Sequence, residues 1–336
     1  MRKYLLPNNK NAYKANLHTH TTISDGKCTP EEVKEIYKAH GYSVVAFTDH
    51  DVFIPHNELT DAEFLALNGY EMEVNQTELS PLAKCRKTSH MCLVARKPDM
   101  STPVCWHRTK YLFSNAVNYR DKINFDPSLP DYERVYSAEG ISNMMRLGAE
   151  NGFFVSYNHP TWSCEDYSDY IGFNNMHAME IVNNCCLMEG YPEHNERVYD
   201  DMLRAGKRIF CTATDDCHTI PSMCGAYIVL LADKLEYETV TDALMRGDFY
   251  SSEAPEIREL YIEDGVVTVK TSEAAEIRFS TGIRKAKLFS AGEGETLTEA
   301  SYELPSGPDV YYFRITVTDK CGRCAYTNAY FTDELN

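Results

Sequence analysis

The chain has 336 residues, with 33 Lys+Arg against 50 Asp+Glu and a formal charge of −17. That balance excludes a surface that wraps a long nucleic-acid duplex, which needs clustered Lys and Arg, but not a short phosphorylated substrate held by metal ions. A hydrophobic share of 43% suffices for a packed core, and no apolar run approaches the roughly 20 residues of a membrane-spanning helix.

The opening MRKYLLPNNKN has too short an apolar stretch for a signal peptide. Twelve cysteines lie scattered along the chain. Without an export signal they read as reduced thiols of a cytoplasmic protein. The CxxC at Cys321 and Cys324 sits between two β-like runs and is expected at a hairpin tip.

In chain order, β-like runs fall at 42–47, 69–74, 91–95, 153–157, 178–182, 209–214 and 226–231, with helical segments between them. Thr29-Pro30-Glu31-Glu32 is a capping box with Pro at the first helical position, and Gly41 follows that helix. Residues 193–205 put Val198, Met202 and Leu203 on one face before Gly206. Residues 239–246 end at Gly247 in the same way. This alternation predicts an α/β fold, with a parallel sheet or an α/β barrel.

The stretch 96–136 is longer than ordinary connections and reads either as a lid facing the substrate or as an insertion packed over the surface. From Pro255 onward, short alternating segments separated by Gly, Pro and Asp turns predict a small all-β, sandwich-like domain. The expected division is 1–253 and 254–336.

Histidines and carboxylates gather at strand ends. His18-x-His20 puts two imidazoles on one side of an extended segment, and Asp25 follows in Ser24-Asp25-Gly26. Thr48-Asp49-His50-Asp51 follows the run at 42–47, and Glu73 closes the run at 69–74. His90 opens the next run, Asn158-His159-Pro160 ends the one at 153–157, and Asp215-Asp216-Cys217-His218 ends the one at 209–214. Active sites of α/β barrels assemble at such ends. So many donors of mixed N and O type exceed the roughly four to six that one ion takes and suit Zn, Mn or Fe. Such a cluster lowers the pKa of bound water and supplies the attacking hydroxide, so no protein nucleophile is required.

These motifs resemble the PHP (polymerase and histidinol phosphatase) family of metal-dependent phosphoesterases, and the β-rich tail is similar to its CehA/McbA-like branch. The resemblance implies a distorted seven-stranded (β/α) barrel followed by the β domain. By position, it implies His18, His20, Glu73 and Asp216 around a first metal. Glu73, His90 and His159 would hold a second, with Glu73 as the bridge and the attacking water held by Glu73, Asp216 and His159. Asp25, His50 and His218 would hold a third. Asp49, Asp51 and Asp215 are expected beside the ligands, orienting imidazoles. Arg197, Arg108 and Lys110 are candidates for substrate contact.

The expected reaction is hydrolysis of a small phosphate mono- or diester in the cytoplasm, without duplex nucleic acid or membrane as partner; self-association is left open. The alternatives are a carboxylic or carbamic ester hydrolase, and a non-catalytic interaction module stabilised by its metals.

Overall fold

The computed structural model describes residues 2–79, 84–305 and 310–335. Its strands are β1 (Lys3–Tyr4), β2 (Asn11–Asn16), β3 (Tyr42–Phe47), β4 (Leu65–Asn75), β5 (Thr88–Ala95), β6 (Phe153–Asn158), β7 (Ala178–Asn183), β8 (Phe210–Thr214), β9 (Tyr227–Ala232) and β10 (Phe249–Ser252). They continue as β11 (Ile257–Glu263), β12 (Val266–Ala274), β13 (Glu276–Thr281), β14 (Lys287–Ser290), β15 (Leu297–Glu303), β16 (Tyr312–Thr318), β17 (Cys324–Thr327) and β18 (Tyr330–Phe331). The helices are α1 (Pro30–Ala39), α2 (Ala138–Glu150), α3 (Tyr167–Tyr170), α4 (Asn184–Met188), α5 (Glu196–Arg204) and α6 (Tyr237–Arg246).

Local signals act where expected. The Thr29 side chain accepts from the backbone N–H of Glu32, and the Glu32 carboxylate accepts from that of Thr29, closing the N-terminus of α1. Gly247 ends α6 at φ 73°, a left-handed cap that glycine adopts without strain.

The long sheet is mixed and open. Its order is β14-β13-β16-β17-β10-β9-β2-β3-β4-β5-β6-β7-β8, with β18 paired to β16. β2–β3, β3–β4, β6–β7 and β7–β8 are parallel, whereas β4–β5, β5–β6 and β2–β9 are antiparallel. The expected closed barrel is therefore corrected to an open α/β sheet. Instead of a ladder, a single bridge between Thr19 and Cys217 joins the segments that follow β2 and β8. There the His20 N–H donates to Cys217 O at 3.1 Å, and that of Asp216 to His18 O at 3.0 Å. Antiparallel β5, between β4 and β6, and antiparallel β9, beside β2, thus replace the all-parallel arrangement that strand–helix alternation suggests.

The β-rich tail is a sandwich. A second sheet, β1-β11-β12-β15, lies across β13, β16 and β17. Leu260, Val267 and Val269 of one layer meet Ile277, Phe279, Phe313, Ile315 and Val317 of the other in a shared core. β10 pairs with both β9 and β17, so one sheet runs unbroken from the α/β part into the sandwich. β1, at the chain start, pairs with β11. The CxxC lies between β16 and β17, at the hairpin tip, where the Asp319 carboxylate accepts from the N–H groups of Cys321 and Arg323. No helix among the described residues is long and apolar enough to cross a membrane.

A buried ion-pair network ties the sandwich to α5. Arg314, 2% exposed, bonds Glu196 at 2.9 Å and both carboxylate oxygens of Asp200 at 2.9 and 3.0 Å. Removing one partner of a buried pair strands the other charges, at about 3 kcal/mol. Arg314→Ala is expected to lower the urea midpoint measurably by circular dichroism. An unchanged midpoint would show that the pair contributes nothing to holding the two parts together.

Candidate metal centre

Glu71, fully buried near the middle of β4, stands at the centre of the histidine cluster. Its Oε1 lies 3.2 Å from His18 Nε2 and 3.3 Å from both His90 Nδ1 and His159 Nε2. Its Oε2 lies 3.1 Å from His50 Nδ1 and 3.4 Å from His20 Nε2. The central place expected of Glu73 thus falls to Glu71. Both carboxylates point to one face of β4, as residues two apart must. Glu73, one step nearer the strand end, reaches only His90 in the cluster, at 3.5 Å. The register explains the choice: His50 bridges to Glu71, and the Asp51 N–H donates to Glu71 O at 2.7 Å.

Asp216 is the second buried carboxylate, with Oδ1 at 3.2 Å from His18 Nε2 and 3.1 Å from His20 Nε2. His159 Nε2 lies 3.8 Å from its Oδ2. Towards solvent, Asp25 faces His218 at 3.5 Å, His20 at 3.7 Å and His50 at 3.8 Å. All nine expected ligands therefore line one site, with Glu73 at its edge. His90 sits at the start of its strand, yet shares the edge where β4 and β6 end. Antiparallel β5 pairs it with Glu73 on one side and Asn158 on the other. His159 and Asp216 hold left-handed backbone at φ 24° and 50°. Such conformations cost about 1–3 kcal/mol each and turn these side chains off their strand ends into the cluster.

Electrostatics follow from this crowding. Burial opposes ionisation of Glu71, but His18, His90 and His50 hold it well below the usual carboxylate range. Asp216 is likewise depressed against burial, by His18, His20 and His218. Burial disfavours a charged His159, yet Glu71 and Asp216 raise it to about 9. Burial and then neighbouring His20 push His50 well below its ordinary value.

Five buried donor atoms in the cluster have no hydrogen-bond partner among the described residues: His20 Nδ1, His50 Nδ1, His90 Nδ1, Glu71 Oε2 and Asp216 Oδ1. Unsatisfied buried groups are costly. Their convergence on shared spaces fits divalent cations, which take N and O donors together. Potential donor groups are His20, Asp25, His50 and His218; His18, His159 and Asp216; and His50, Glu71 and His90. Cys92 also approaches His18 and Glu71, but burial raises its thiol to about 11, and Asn158 donates to its sulfur at 3.2 Å.

The groups around the ligands differ from expectation. Asp49 accepts from the Thr21 and Ser24 N–H groups at 2.8 and 3.1 Å, and from their hydroxyls at 2.8 and 2.6 Å. It fixes the turn leading to Asp25 rather than an imidazole. Asp51 pairs at 2.5 Å with buried Arg134, which also donates to Glu73 O at 2.7 Å. Asp215 accepts from Tyr37 Oη and the N–H groups of Cys224, Gly225 and Ala226, which locks the chain behind the site.

Imidazole orientation belongs to Glu180 of β7, which the motif reading missed. His18 Nδ1 donates to Glu180 Oε1 at 2.7 Å, leaving Nε2 free to face Glu71 and Asp216. Glu180 also accepts from the His159 N–H at 2.9 Å and Thr214 Oγ1 at 2.6 Å. The signal was a Glu inside an apolar strand, AMEIVN, since a buried carboxylate requires partners.

A cavity of about 580 Å³ opens over the cluster, bordered by Lys27, Phe113, Trp162, Cys185 and Glu189. Phe113 brings the 96–136 stretch to the site, and its ring lies 4.7 Å from that of His50. Arg197, Arg108 and Lys110 do not line the cavity; they pair with Asp201, Asp131 and Glu133. Lys27, missed in the sequence because it follows the motif rather than belonging to it, is the cation there.

No protein-family model matches the chain, and no curated protein matches it. Among solved structures, it is similar to a two-domain protein containing a predicted PHP-like metal-dependent phosphoesterase from Bacteroides vulgatus, with 14% identity over 98% of each chain and a TM-score of 0.45. It is also similar to an amidohydrolase from Chromobacterium violaceum with bound sulfate, with 15% identity over 61% of this chain and 88% of that one, TM-score 0.40. Matches at these scores carry no weight for the chemistry, which rests on the side chains described above.

Two outcomes test this geometry. Glu71→Gln is expected to lose most of the metal bound by the folded protein, read by inductively coupled plasma mass spectrometry, whereas Glu73→Gln keeps most of it. The reverse ranking would return the central place to Glu73. Behind the loop that carries His159, burial lifts Glu165 from 4.5 to about 8, although Tyr157 and Tyr136 donate to it. The folded state then keeps a proton that the unfolded chain releases, so this contribution is full below about pH 4.5 and is lost as pH rises towards 8. Glu165→Gln should flatten the fall of the urea midpoint between pH 5 and 8; an identical slope in both proteins would place the proton elsewhere.

Proposed function

We propose that this chain is a metal-dependent hydrolase of small phosphate esters. The carrying observation is the buried Glu71 surrounded by five imidazoles, with partnerless donor atoms converging beside it. His18, His159 and Asp216, then Glu71, His50 and His90, then His20, Asp25 and His218 would hold two or three ions of Zn, Mn or Fe type. Bound ions supply Lewis acidity to a phosphoryl oxygen and lower the pKa of water towards neutrality.

The chain's own groups organise this site. Glu180 fixes the His18 tautomer, and the Asp216 carbonyl accepts from His218 Nδ1 at 2.9 Å, leaving Nε2 directed at Asp25. That hydrogen bond also denies Cys185 a base. Its sulfur is 3.9 Å from the same Nδ1, which already holds its proton towards the carbonyl. A thiol nucleophile is thereby disfavoured relative to water. Phe113 and Trp162 narrow the mouth.

A phosphate ester is favoured over a carboxylic or carbamic ester by the lysine that joins the imidazoles lining the cavity, because together they suit a dianionic group. The metal-replete protein is expected to hydrolyse 4-nitrophenyl phosphate faster than 4-nitrophenyl acetate at equal metal loading. A chelator and the His18→Ala variant should each abolish turnover. Turnover of the acetate alone would overturn the reading in favour of a carboxylic ester hydrolase, and turnover of neither would favour a non-catalytic module.

A further inference from the structure

Of the fourteen residues lining the cavity over the cluster, Lys27 alone carries an ammonium or guanidinium. Its side chain makes no ion pair or hydrogen bond among the described residues. Its backbone is nevertheless pinned, because the Lys27 N–H donates to His218 O at 2.9 Å. The preceding Gly26 presses on His20 so closely that a Cβ there would meet the His20 carbonyl at 2.5 Å. The turn is thus held against two residues of the cluster, and it presents an exposed, unpaired lysine side chain at the mouth.

Aromatic rings flank the same opening from two sides. Phe113 lies beside His50 at 4.7 Å, its ring tilted by 52°, and Trp162 lies 5.3 Å from His90 and 5.0 Å from His159. Beyond them the rim carries Glu73 and Glu189. One unpaired cation, two aromatic rings and two further carboxylates describe a ligand with its negative charge at one end. Rigid aromatic surface favours a flat apolar body, and carboxylates at the rim repel a second anionic group on that body.

Building on the phosphoesterase reading, we propose that the preferred substrate is a phosphate monoester of a flat, uncharged alcohol or phenol. Lys27 anchors its phosphoryl group, Phe113 and Trp162 clasp the leaving group, and Glu73 and Glu189 reject leaving groups bearing another phosphate or carboxylate. In the reaction, water oxygen bonds to phosphorus as the ester P–O bond breaks. The leaving oxygen takes a proton derived from that water, and inorganic phosphate remains.

The test uses the full, metal-loaded chain with phenyl phosphate, glycerol 3-phosphate and 3-phosphoglycerate. Wild-type kcat/KM is expected to favour phenyl phosphate over glycerol 3-phosphate by at least tenfold, with 3-phosphoglycerate poorest. Lys27→Met should raise KM for phenyl phosphate about tenfold with a much smaller change in kcat. Calorimetric binding of phenyl phosphate should weaken to the same extent, with metal content unchanged. Phe113→Ala should narrow the preference for phenyl over glycerol phosphate, and Glu189→Gln should narrow the discrimination against 3-phosphoglycerate.

Unchanged phenyl phosphate binding in Lys27→Met would overturn the anchor, and equal use of the three substrates would overturn the selectivity. Binding that depends on Lys27 without turnover of any ester would instead overturn the hydrolase reading and leave the anchor supported.

Discussion

An ionised carboxylate sealed from water is among the costliest groups a fold can bury, and it persists only where cations surround it. Glu71 is that group here, and the architecture around it follows from the need to neutralise it. Imidazoles reach it from the segment after β2, the corner after β3, the start of β5 and the corner after β6. Without metal, Glu71 and Asp216 lift His159, and the surrounding histidines hold both carboxylates low. Divalent ions provide the same compensation with fixed charge. A site whose stability in the absence of ions depends on protonated histidines is one that competes directly between protons and metals.

Chain direction is the second constraint. In an all-parallel sheet, His90 at a strand start would lie at the far edge from His159 and Asp216. Reversing β5 between β4 and β6 carries its first residues to the shared edge. The same reversal, with antiparallel β9 beside β2, accounts for the departure from a barrel with uniformly parallel strands. Closure around the site is left to short-range bonds between the segments after β2 and β8, where His18, His20 and Asp216 themselves lie. The bonds that draw β8, at one end of the sheet, towards the segment after β2 therefore also set the spacing of three ligands.

Much of this was legible because imidazole pairs and strand-end corners have little other use at that density. His18-x-His20, Asp25, His50, His159 and Asp216-x-His218 all meet in space as their spacing suggested. Glu71 and Glu73 were not separable by pattern, because both point to the same face of one strand, and only the register against β3 and β5 sets their depths. Glu180 was hidden by the assumption that ligands and their supports sit at strand ends; it lies within β7 and works through its burial. Arg134 was harder still, since nothing local links a residue of the long stretch before α2 to Asp51. In the sandwich, alternation gave nearly every strand, but the pairing of β1 with β11 is a non-local choice that no short pattern encodes.

The long stretch at 96–136 shows how ordering of a loop and selectivity of a site become one property. Ala116 and Ile123 bury Ile23 and Val52, residues from the loops that carry Asp25 and His50. The Asn115 N–H and side chain bond Ser24 O and Thr22 O, and Arg134 anchors the far end at Asp51 and Glu73. Phe113 lies immediately before the first of these anchors, so its place at the mouth is set by the ligand loops themselves. The charge of −17 acquires a different meaning in this light. Acidic groups in the cluster are answered by imidazoles and, on loading, by metal ions, whereas Glu73 faces one imidazole and Glu189 is exposed. On the proposed reading the opening admits one anion and disfavours a second, and Phe113 lines that opening between the two kinds of charge.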